Sequence, residues 1–353
     1  MSIYSKILVV ADINHDEQPA LARAMQLAQK STSVSHITFF LSIYDFSYDM
    51  TSMLSLEERD AMRKGVIHQR EQWMRSIAEP YLDKSVQFDI KVVWHNRPYE
   101  AIIGEIFAGE HDILIKATRK HDMLESVIFT PTDWHLMRKC PTPVLLVKNA
   151  DWPENANIIA SVHVGSELDT HIDLNDRMVE QLLNLSKRLG ASPYLVNAYP
   201  VTPANITIEL PEFDPTTYTD AVRGHHLTAM KALRQKHGLS EEQTLVQQGL
   251  PEDVIPEAAK QLNAAMVILG TTGRTGLSAV FIGNTAEHVI DKINCDVLAL
   301  KPNGYVSPSI HRQPFSSPQQ SLPYGRDFLS LHTIDLASLL FIRIIRTSFC
   351  SEI

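Results

Sequence analysis

Three glycines that follow an apolar run are the strongest chemical signal in the sequence. After the run MVIL come Gly270, Gly273 and Gly283, separated by two and by nine residues. Glycine can adopt positive φ, and without a Cβ it lets a ligand approach main-chain N–H groups closely. Asn284 and Thr285 favour the start of a helix, where unpaired amides and the positive end of the helix dipole face the same place. The spacing therefore predicts a loop that binds phosphate groups.

Two common phosphate motifs do not describe this loop, and a purely structural interpretation stays open. No Gly-Lys-Ser/Thr sequence follows, so the loop is not a Walker loop, and the spacing differs from the dinucleotide G-x-G-x-x-G fingerprint. The structural alternative is a strand-to-helix connection whose glycines only permit positive φ.

Asp12, at the end of the first apolar run, also has two interpretations. It could contact a ligand at the carboxyl end of a strand, or it could cap the helix that begins near Asp16, a common role for aspartate. We favour the cap. A ligand site at Asp12 would need a glycine loop nearby to complete it, and the corresponding part of the chain lacks the glycine spacing found at Gly270, Gly273 and Gly283.

The sequence contains no recognisable catalytic or metal-binding constellation. It has neither a Gly-x-Ser-x-Gly elbow nor an H-E-x-x-H motif. His225 and His226 are adjacent, so on a helix they would point about 100° apart and could not easily share a metal. His15, His163 and His171 lack zinc spacing. We expect solvated or core-paired histidines, no metal cluster and no dedicated catalytic centre, although the fold class itself does not exclude an enzyme.

Length, charge and cysteine content restrict the class of protein. The 353 residues suffice for two domains, each with its own core. A formal net charge of −9 argues against generic binding of nucleic acid. Three cysteines without C-x-x-C spacing fit a reducing cytoplasm. The short N-terminal apolar run precedes acidic residues, which is not the pattern of a signal peptide.

Short β-branched runs alternate with longer helical stretches along the chain. The first five predicted strands are Lys6–Asp12, His36–Tyr44, Val86–Val93, Ile113–Lys116 and Val144–Lys148. The next five are Asn157–His163, Tyr194–Tyr199, Thr244–Gln248, Met266–Leu269 and Val297–Lys301. A long helix is predicted from Ser55 to Leu82, opened by the capping box Ser55-x-x-Glu58. The alternation predicts an α/β protein with parallel doubly wound sheets.

The second set of elements repeats the first. Adding 153 to a residue number of the first set yields an identical residue type at many positions of the second. The matched pairs include Pro98 with Pro251, Ile102 with Ile255, Thr118 with Thr271, His135 with His288, and Lys148 with Lys301. An ungapped register over this length indicates a duplication.

The repeat divides the chain into three parts. We assign residues 1–150 to a first half, residues 151–303 to a second half and residues 304–353 to an atypical tail. In the tail a stretch rich in Ser, Pro and Gln precedes an apolar stretch that Asp335 interrupts, whereas a membrane-spanning helix needs about 20 clean apolar residues. The tail is therefore expected to be disordered or loosely docked, and not to cross a membrane.

The spacing of Gly270, Gly273 and Gly283 resembles the nucleotide-binding loop of the ATP-binding universal stress proteins. The resemblance extends from residue 3 to about residue 303, and strings such as VVWHNRPYEAII, FTPTDWHLMRKCP and ELPEFDP are similar to tandem-domain members of that family. It implies two five-stranded parallel sheets with the strand order 3-2-1-4-5, paired about a pseudo-twofold axis through their last strands. It also implies ATP or another adenine nucleotide as a ligand.

Each half keeps a different part of the site that this resemblance implies. In nucleotide-binding members of the family, an aspartate at the end of the first strand contacts the adenine side of the ligand. The first half has Asp12 at that position, and the second half has His163. Subtracting 153 from the three glycine numbers gives Ala117, Lys120 and Thr130, so only the second half keeps the loop. Any nucleotide is therefore expected in the second half.

The resemblance also implies a function. It predicts a cytoplasmic stress-response protein that helps cells resist agents such as those that damage DNA, acting as a small-molecule sensor or an interaction scaffold. The alternative is an ATP-binding switch or slow nucleotide hydrolase that uses the Gly270–Thr285 loop. The expected partners are a small-molecule ligand or another protein, which includes a second copy of the chain, and neither nucleic acid nor a membrane.

Overall fold

The computed structural model describes residues 4–29, 35–50, 54–83, 86–121, 124–128, 130–148, 152, 156–201, 214–271 and 289–308. For residues 49, 50, 119–121 and 124–128 it describes the backbone alone. Most of the predicted tail, including the stretch around Asp335, lies outside these residues. Within them, no helix combines the length and the apolar character needed to cross a membrane.

The first half forms the predicted parallel sheet. Its strands are β1 (Lys6–Val10), β2 (His36–Ile43), β3 (Gln87–Trp94), β4 (Ile113–Ala117) and β7 (Val144–Val147). They lie in the order β3-β2-β1-β4-β7, which is the expected order 3-2-1-4-5. Between β4 and β7 the chain adds an antiparallel hairpin that the sequence patterns did not predict, formed by β5 (Arg119–His121) and β6 (Leu124–Ile128).

Helices connect these strands and cover both faces of the sheet. They are α1 (Pro19–Gln29), α2 (Ser47–Met50), α3 (Leu56–Ala78), α4 (Pro98–Gly109) and α5 (Pro131–Lys139). The capping box predicted at the start of α3 is confirmed. Ser55 Oγ accepts the N–H of Glu58 at 3.2 Å, and Glu58 Oε2 accepts the N–H of Ser55 at 2.8 Å.

The second half repeats this arrangement. Its strands are β8 (Asn157–Ser161), β9 (Ser192–Tyr199), β10 (Thr244–Gln248), β11 (Ala264–Gly270) and β12 (Asp296–Leu300). They lie in the order β10-β9-β8-β11-β12, again 3-2-1-4-5. Its helices include α6 (Asp169–Leu189), α7 (Pro215–Lys236) and α8 (Pro251–Gln261).

The last strands of the two halves pair with each other, as predicted. β12 runs antiparallel to β7, with Val297 opposite Leu146 and Ala299 opposite Val144, so that one ten-stranded sheet results. Because every other pairing in this sheet is parallel, the strands of the two halves point in opposite directions. The carboxyl ends of the first-half strands therefore lie at the opposite edge of the sheet from those of the second half.

Each face of the sheet carries a core layer that contains residues of both halves. One layer includes α1, α3, α6 and α7, through side chains such as Leu21, Met74, Met178 and Met230. The other includes α4, α5 and α8, through side chains such as Ile102, Leu136 and Val254. Along β1 the side chains alternate between the two layers, as expected for a strand buried on both faces.

A buried ion pair joins the halves at one end of the β7–β12 seam. Arg23 Nε of α1 lies 2.8 Å from Asp296 Oδ2 of β12, and both side chains are almost fully buried. Asp296 also accepts the N–H of Lys148 at 3.1 Å and the indole N–H of Trp152 at 3.0 Å, while the Arg23 guanidinium stacks over Trp152. Lys148 Nζ in turn donates to the carbonyls of Ile290 and Ile293 in the second half.

The residues after β12 return to the first half. Tyr305 Oη donates to the carbonyl of Arg138 at 2.7 Å, and Ser307 Oγ donates to that of Lys139 at 2.6 Å. Both carbonyls belong to the last turn of α5, so these hydrogen bonds tie the chain after β12 to the end of that helix. The chain therefore stays packed against α5 through Ser307, and the predicted start of the tail at residue 304 remains a proposal. The division at residues 150 and 151 remains a proposal.

The ion pair at the seam should matter more to stability than a surface pair. Arg23→Met should lower the free energy of unfolding by about 3–5 kcal/mol, because it leaves the buried carboxylate of Asp296 without its cation. The double variant Arg23→Met/Asp296→Asn should recover most of this loss, since it removes the unpaired charge. Urea titration of both variants measures the difference. Equal losses in the two variants would show that the charge of Asp296 is not what Arg23 compensates.

Two truncations separate the packed residues from the rest of the tail. Removal of residues 309–353 should leave the melting temperature nearly unchanged. Removal of residues 304–353 should cost about 2 kcal/mol, because it also deletes the hydrogen bonds of Tyr305 and Ser307, at about 1 kcal/mol each. Calorimetric melting of the two truncated proteins tests this, and identical melting temperatures would contradict it.

Candidate functional site

Ligands of doubly wound sheets bind where the strand order reverses, at the carboxyl ends of the strands. In the first half that point lies between β1 and β4, and in the second half between β8 and β11. Asp12 follows β1, and Gly270 ends β11, so both predicted residues lie at switch points. The two points are at opposite edges of the sheet, so one small molecule cannot occupy both.

Of the site residues predicted in the glycine loop, the structure describes Gly270 alone. Gly273, Gly283, Asn284 and Thr285 lie outside the described residues, and their role stays a prediction. Gly270 is described, and packing contributes to the choice of glycine there. A Cβ would lie 2.6 Å from Cδ2 and 3.1 Å from Cγ of Leu174 on α6, so the glycine makes room for this buried side chain.

Asp12 organises the loop between β1 and α1. Its Oδ1 accepts the N–H of Asn14 at 3.0 Å, and its Oδ2 lies 3.1 Å from His15 Nδ1. Partial burial of Asp12 acts against ionisation, but the hydrogen bonds from Asn14 and His15 outweigh it and hold the pKa of this carboxyl below its ordinary value. α1 begins at Pro19 and not near Asp16, so Asp12 caps a turn and not the helix. Its role as a ligand contact stays a prediction.

A side-chain amide fixes the backbone at the end of the first strand in each half. In the first half, Gln18 Oε1 accepts the N–H of Asp12 at 2.9 Å and Gln18 Nε2 donates to its carbonyl at 2.9 Å. In the second half, Asn175 Oδ1 accepts the N–H of His163 at 2.9 Å and Asn175 Nδ2 donates to its carbonyl at 3.0 Å. Asp12 and His163 therefore occupy equivalent positions, as inferred from the sequence.

Around His163 the second half collects three imidazoles, which we call the imidazole cluster: His163, His171 and His226. The rings of His163 and His171 have centroids 5.4 Å apart. His226, on α7, is buried, and its Nδ1 lies 2.7 Å from Asn197 Oδ1 of β9. Because an amide oxygen only accepts, Nδ1 of His226 carries the proton.

The surroundings of the cluster keep two of its imidazoles neutral. Burial, and then His171, lower the pKa of His163, and burial, and then His225 and His163, lower the pKa of His226. The ring of His226 also fills the space above Gly165, where a Cβ would lie 2.3 Å from Cε1. At neutral pH His163 and His226 therefore present uncharged rings that can donate or accept hydrogen bonds.

Sequence reasoning missed this cluster. His163 and His171 have no zinc-motif spacing, and His226 comes from a helix much later in the chain. The expectation for the adjacent pair is met, since His226 is core-paired while His225 is exposed. Within the described residues no three His, Cys, Asp or Glu side chains are arranged to hold a metal ion.

The Ser166–His171 contact has a structural explanation. Ser166 Oγ lies 2.6 Å from His171 Nδ1, which is the distance expected for an activated hydroxyl. The same hydroxyl accepts the N–H of Leu168 at 3.4 Å in the loop that leads into α6. This is the geometry of a serine turn before a helix, so the pair by itself does not indicate nucleophilic catalysis.

The start of α5 in the first half is occupied by a carboxylate of the chain. Asp133 is fully buried, and its Oδ2 accepts the N–H and the hydroxyl of Thr130, both at 2.8 Å. Lys116 Nζ, at the carboxyl end of β4, lies 2.8 Å from Asp133 Oδ1. Thr130 and Lys116 are therefore tied to Asp133 at the position that corresponds to the third glycine of the second half.

Comparison with known proteins identifies similar sequences over both halves. A model of the universal stress protein family matches residues 3–148 and 169–301. Universal stress protein E of Salmonella typhi is 55% identical over 309 residues, which cover 87% of this chain and 98% of that protein. The homolog of universal stress protein E in Haemophilus influenzae is 43% identical over 303 residues, covering 85% and 98%.

Solved structures show the same architecture. A Pseudomonas aeruginosa PAO1 protein described as functionally unknown aligns with a TM-score of 0.63 at 27% identity, over 85% of this chain and 93% of that one. A universal stress protein from Archaeoglobus fulgidus aligns with a TM-score of 0.54 at 12% identity, over 84% and 98%, which supports the fold alone.

The buried imidazole of His226 should make stability depend on pH. A base whose pKa is lowered in the folded state contributes stability that is complete above its unfolded pKa of about 6.5 and is lost as the pH falls through the folded pKa. The melting temperature should therefore fall from pH 7 to pH 5, and less steeply in His226→Gln, whose amide can still donate to Asn197. Calorimetry at several pH values measures the slopes, and an unchanged slope in the variant would contradict this role.

Proposed function

Because the chain belongs to the universal stress protein family, we propose that it is a cytoplasmic stress-response protein whose second half senses a small molecule. The proposed ligand is ATP or another adenine nucleotide. The protein would support survival under stress, for example from DNA-damaging agents, by presenting a ligand-dependent surface to a protein partner. Cytoplasmic location rests on the cysteine usage and on the family.

The equivalence of Asp12 and His163 is the observation that carries the placement of the ligand. Both residues follow the first strand at a switch point, and a side-chain amide fixes each backbone in the same way. The glycine spacing occurs after β11 and not after β4, where the matched residues are Ala117, Lys120 and Thr130. The second half therefore combines the position for the base with the loop for the phosphates.

In this proposal the phosphates contact the backbone of Gly273, Gly283, Asn284 and Thr285. Free amides at a helix N-terminus contribute about 0.3–1 kcal/mol for each favourable charge near them. His163 would face the base with a neutral imidazole in place of the aspartate that the family uses. A neutral ring can donate to a ring nitrogen or accept from an amino group, so the change preserves recognition of an adenine.

A pair of variants tests the proposed site. Gly283→Val adds a Cβ where a phosphate would pass, so it should abolish ATP binding in isothermal titration calorimetry. Thr130→Val is the matched change in the first half, and it should cost about 1 kcal/mol of stability through the lost cap without changing ATP affinity. Binding retained by Gly283→Val and lost by Thr130→Val would reverse the assignment.

The same variant connects the site to the stress response. A strain that lacks the protein should survive a DNA-damaging agent less well than one that expresses it, and Gly283→Val should fail to restore survival. If the wild type gives no heat with millimolar ATP, with and without magnesium, yet restores survival, the protein acts as a scaffold without this ligand. Release of phosphate from ATP by the wild type but not by the variant would indicate a hydrolase.

A further inference from the structure

We propose that Asp133 supplies, inside the first half, the negative charge that a ligand phosphate would otherwise bring, so that this half is closed to anions by its own side chain. The inference concerns the switch point of the first half. It does not require that the second half binds a nucleotide.

The groups around Asp133 are those expected around a bound anion. Its carboxylate accepts two hydrogen bonds from Thr130, one from the backbone N–H and one from the hydroxyl. It also contacts the Lys116 ammonium at 2.8 Å. The carboxylate lies at the N-terminus of α5, where the helix dipole favours negative charge. A main-chain amide, a hydroxyl and a lysine at a helix start form a common set of phosphate ligands.

A capping role alone does not explain this arrangement. The chain contains a second capping box, at the start of α3, where Glu58 is exposed and pairs with Ser55. Such an exposed box satisfies the same helix amides without burying a charge. Asp133 is instead fully buried with Lys116, which is 15% exposed. Burial of an ion pair costs desolvation free energy that a cap does not need.

The internal repeat shows that this pair belongs to the first half. Adding 153 to Lys116 gives Leu269, and adding it to Asp133 gives Ala286, so the second half has neither charge. Adding 153 to Thr130 gives Gly283. The first half has the carboxylate and the lysine but a threonine in place of the glycine. The second half has the glycine but neither charged residue at the matched positions. The sequence of the duplicated chain therefore places the internal anion in the half that lacks the glycine.

Removal of the carboxylate should create a phosphate site. In Asp133→Ala the Lys116 ammonium and the Thr130 amide would lose their anion, and the melting temperature should fall. Inorganic phosphate should then raise the melting temperature of the variant by several degrees relative to chloride at equal ionic strength, because a ligand that binds only the folded state stabilises it. The experiment is done in the Gly283→Val background, so that the second half cannot contribute.

The lysine provides the matched control. Lys116→Met/Asp133→Ala removes both charges, so it should be more stable than Asp133→Ala and should not respond to phosphate beyond the wild type. A phosphate response in this double variant, or none in a folded Asp133→Ala, would overturn the proposal. Should Asp133→Ala not fold, Asp133→Ser keeps a small polar side chain at this position and the Thr130 cap, is expected to show the same response, and its failure to respond would be equally decisive.

The reciprocal transfer is a second arm. Leu269→Lys/Ala286→Asp places the pair at the matched positions of the second half, and it should abolish the ATP binding measured for the wild type. If the wild type binds no ATP, this arm gives no signal, and the proposed nucleotide function fails while the phosphate response of Asp133→Ala still decides the present proposal. ATP binding retained by a folded transfer variant would contradict the role given to the carboxylate.

Discussion

The antiparallel pairing of β7 with β12 is the interaction on which the rest of the structure depends. Both strands are short and fully buried, and in a separate half each would be an apolar edge with unpaired backbone groups. When they pair with each other, both strands become central strands of one ten-stranded sheet. The pairing also buries the polar groups at the ends of the strands, so Asp296 and Lys148 need partners from across the seam, which Arg23 and the carbonyls of Ile290 and Ile293 provide.

The same pairing explains how the two halves could diverge. Because the strands of the halves run in opposite directions, their switch points lie at opposite edges of the sheet and share no residue. Each core layer contains residues of both halves, so a substitution of an apolar residue there affects both halves. A substitution in a loop at the carboxyl ends of the strands affects only the half to which the loop belongs. Lys116 and Asp133 lie at the carboxyl ends of the first-half strands, and the imidazole cluster lies at the carboxyl ends of the second-half strands. The two groups of residues could therefore change independently within the same fold.

The elements that the sequence predicted are those set by local patterns. Apolar runs predicted the strands, the Ser55 and Glu58 spacing predicted the start of α3, and the resemblance to the family predicted the pairing of β7 with β12. The contacts that it did not predict join residues of separate elements. Asp133 pairs with Lys116 across the hairpin, and no periodicity connects those positions. Gly270 was given a ligand role from its spacing, whereas the structure shows that the Leu174 side chain also occupies the space that a Cβ would take there.

The side-chain amides of Gln18 and Asn175 show why the residue after the first strand of each half can change without disturbing the fold. Gln18 and Asn175 contact Asp12 and His163 through the backbone N–H and carbonyl of these residues, so these bonds do not depend on the side chain that is held. An aspartate in one half and a histidine in the other are therefore presented in the same position. The chemistry at a switch point can shift from a carboxylate to an imidazole at one position, while β1 and β8 keep the same backbone geometry.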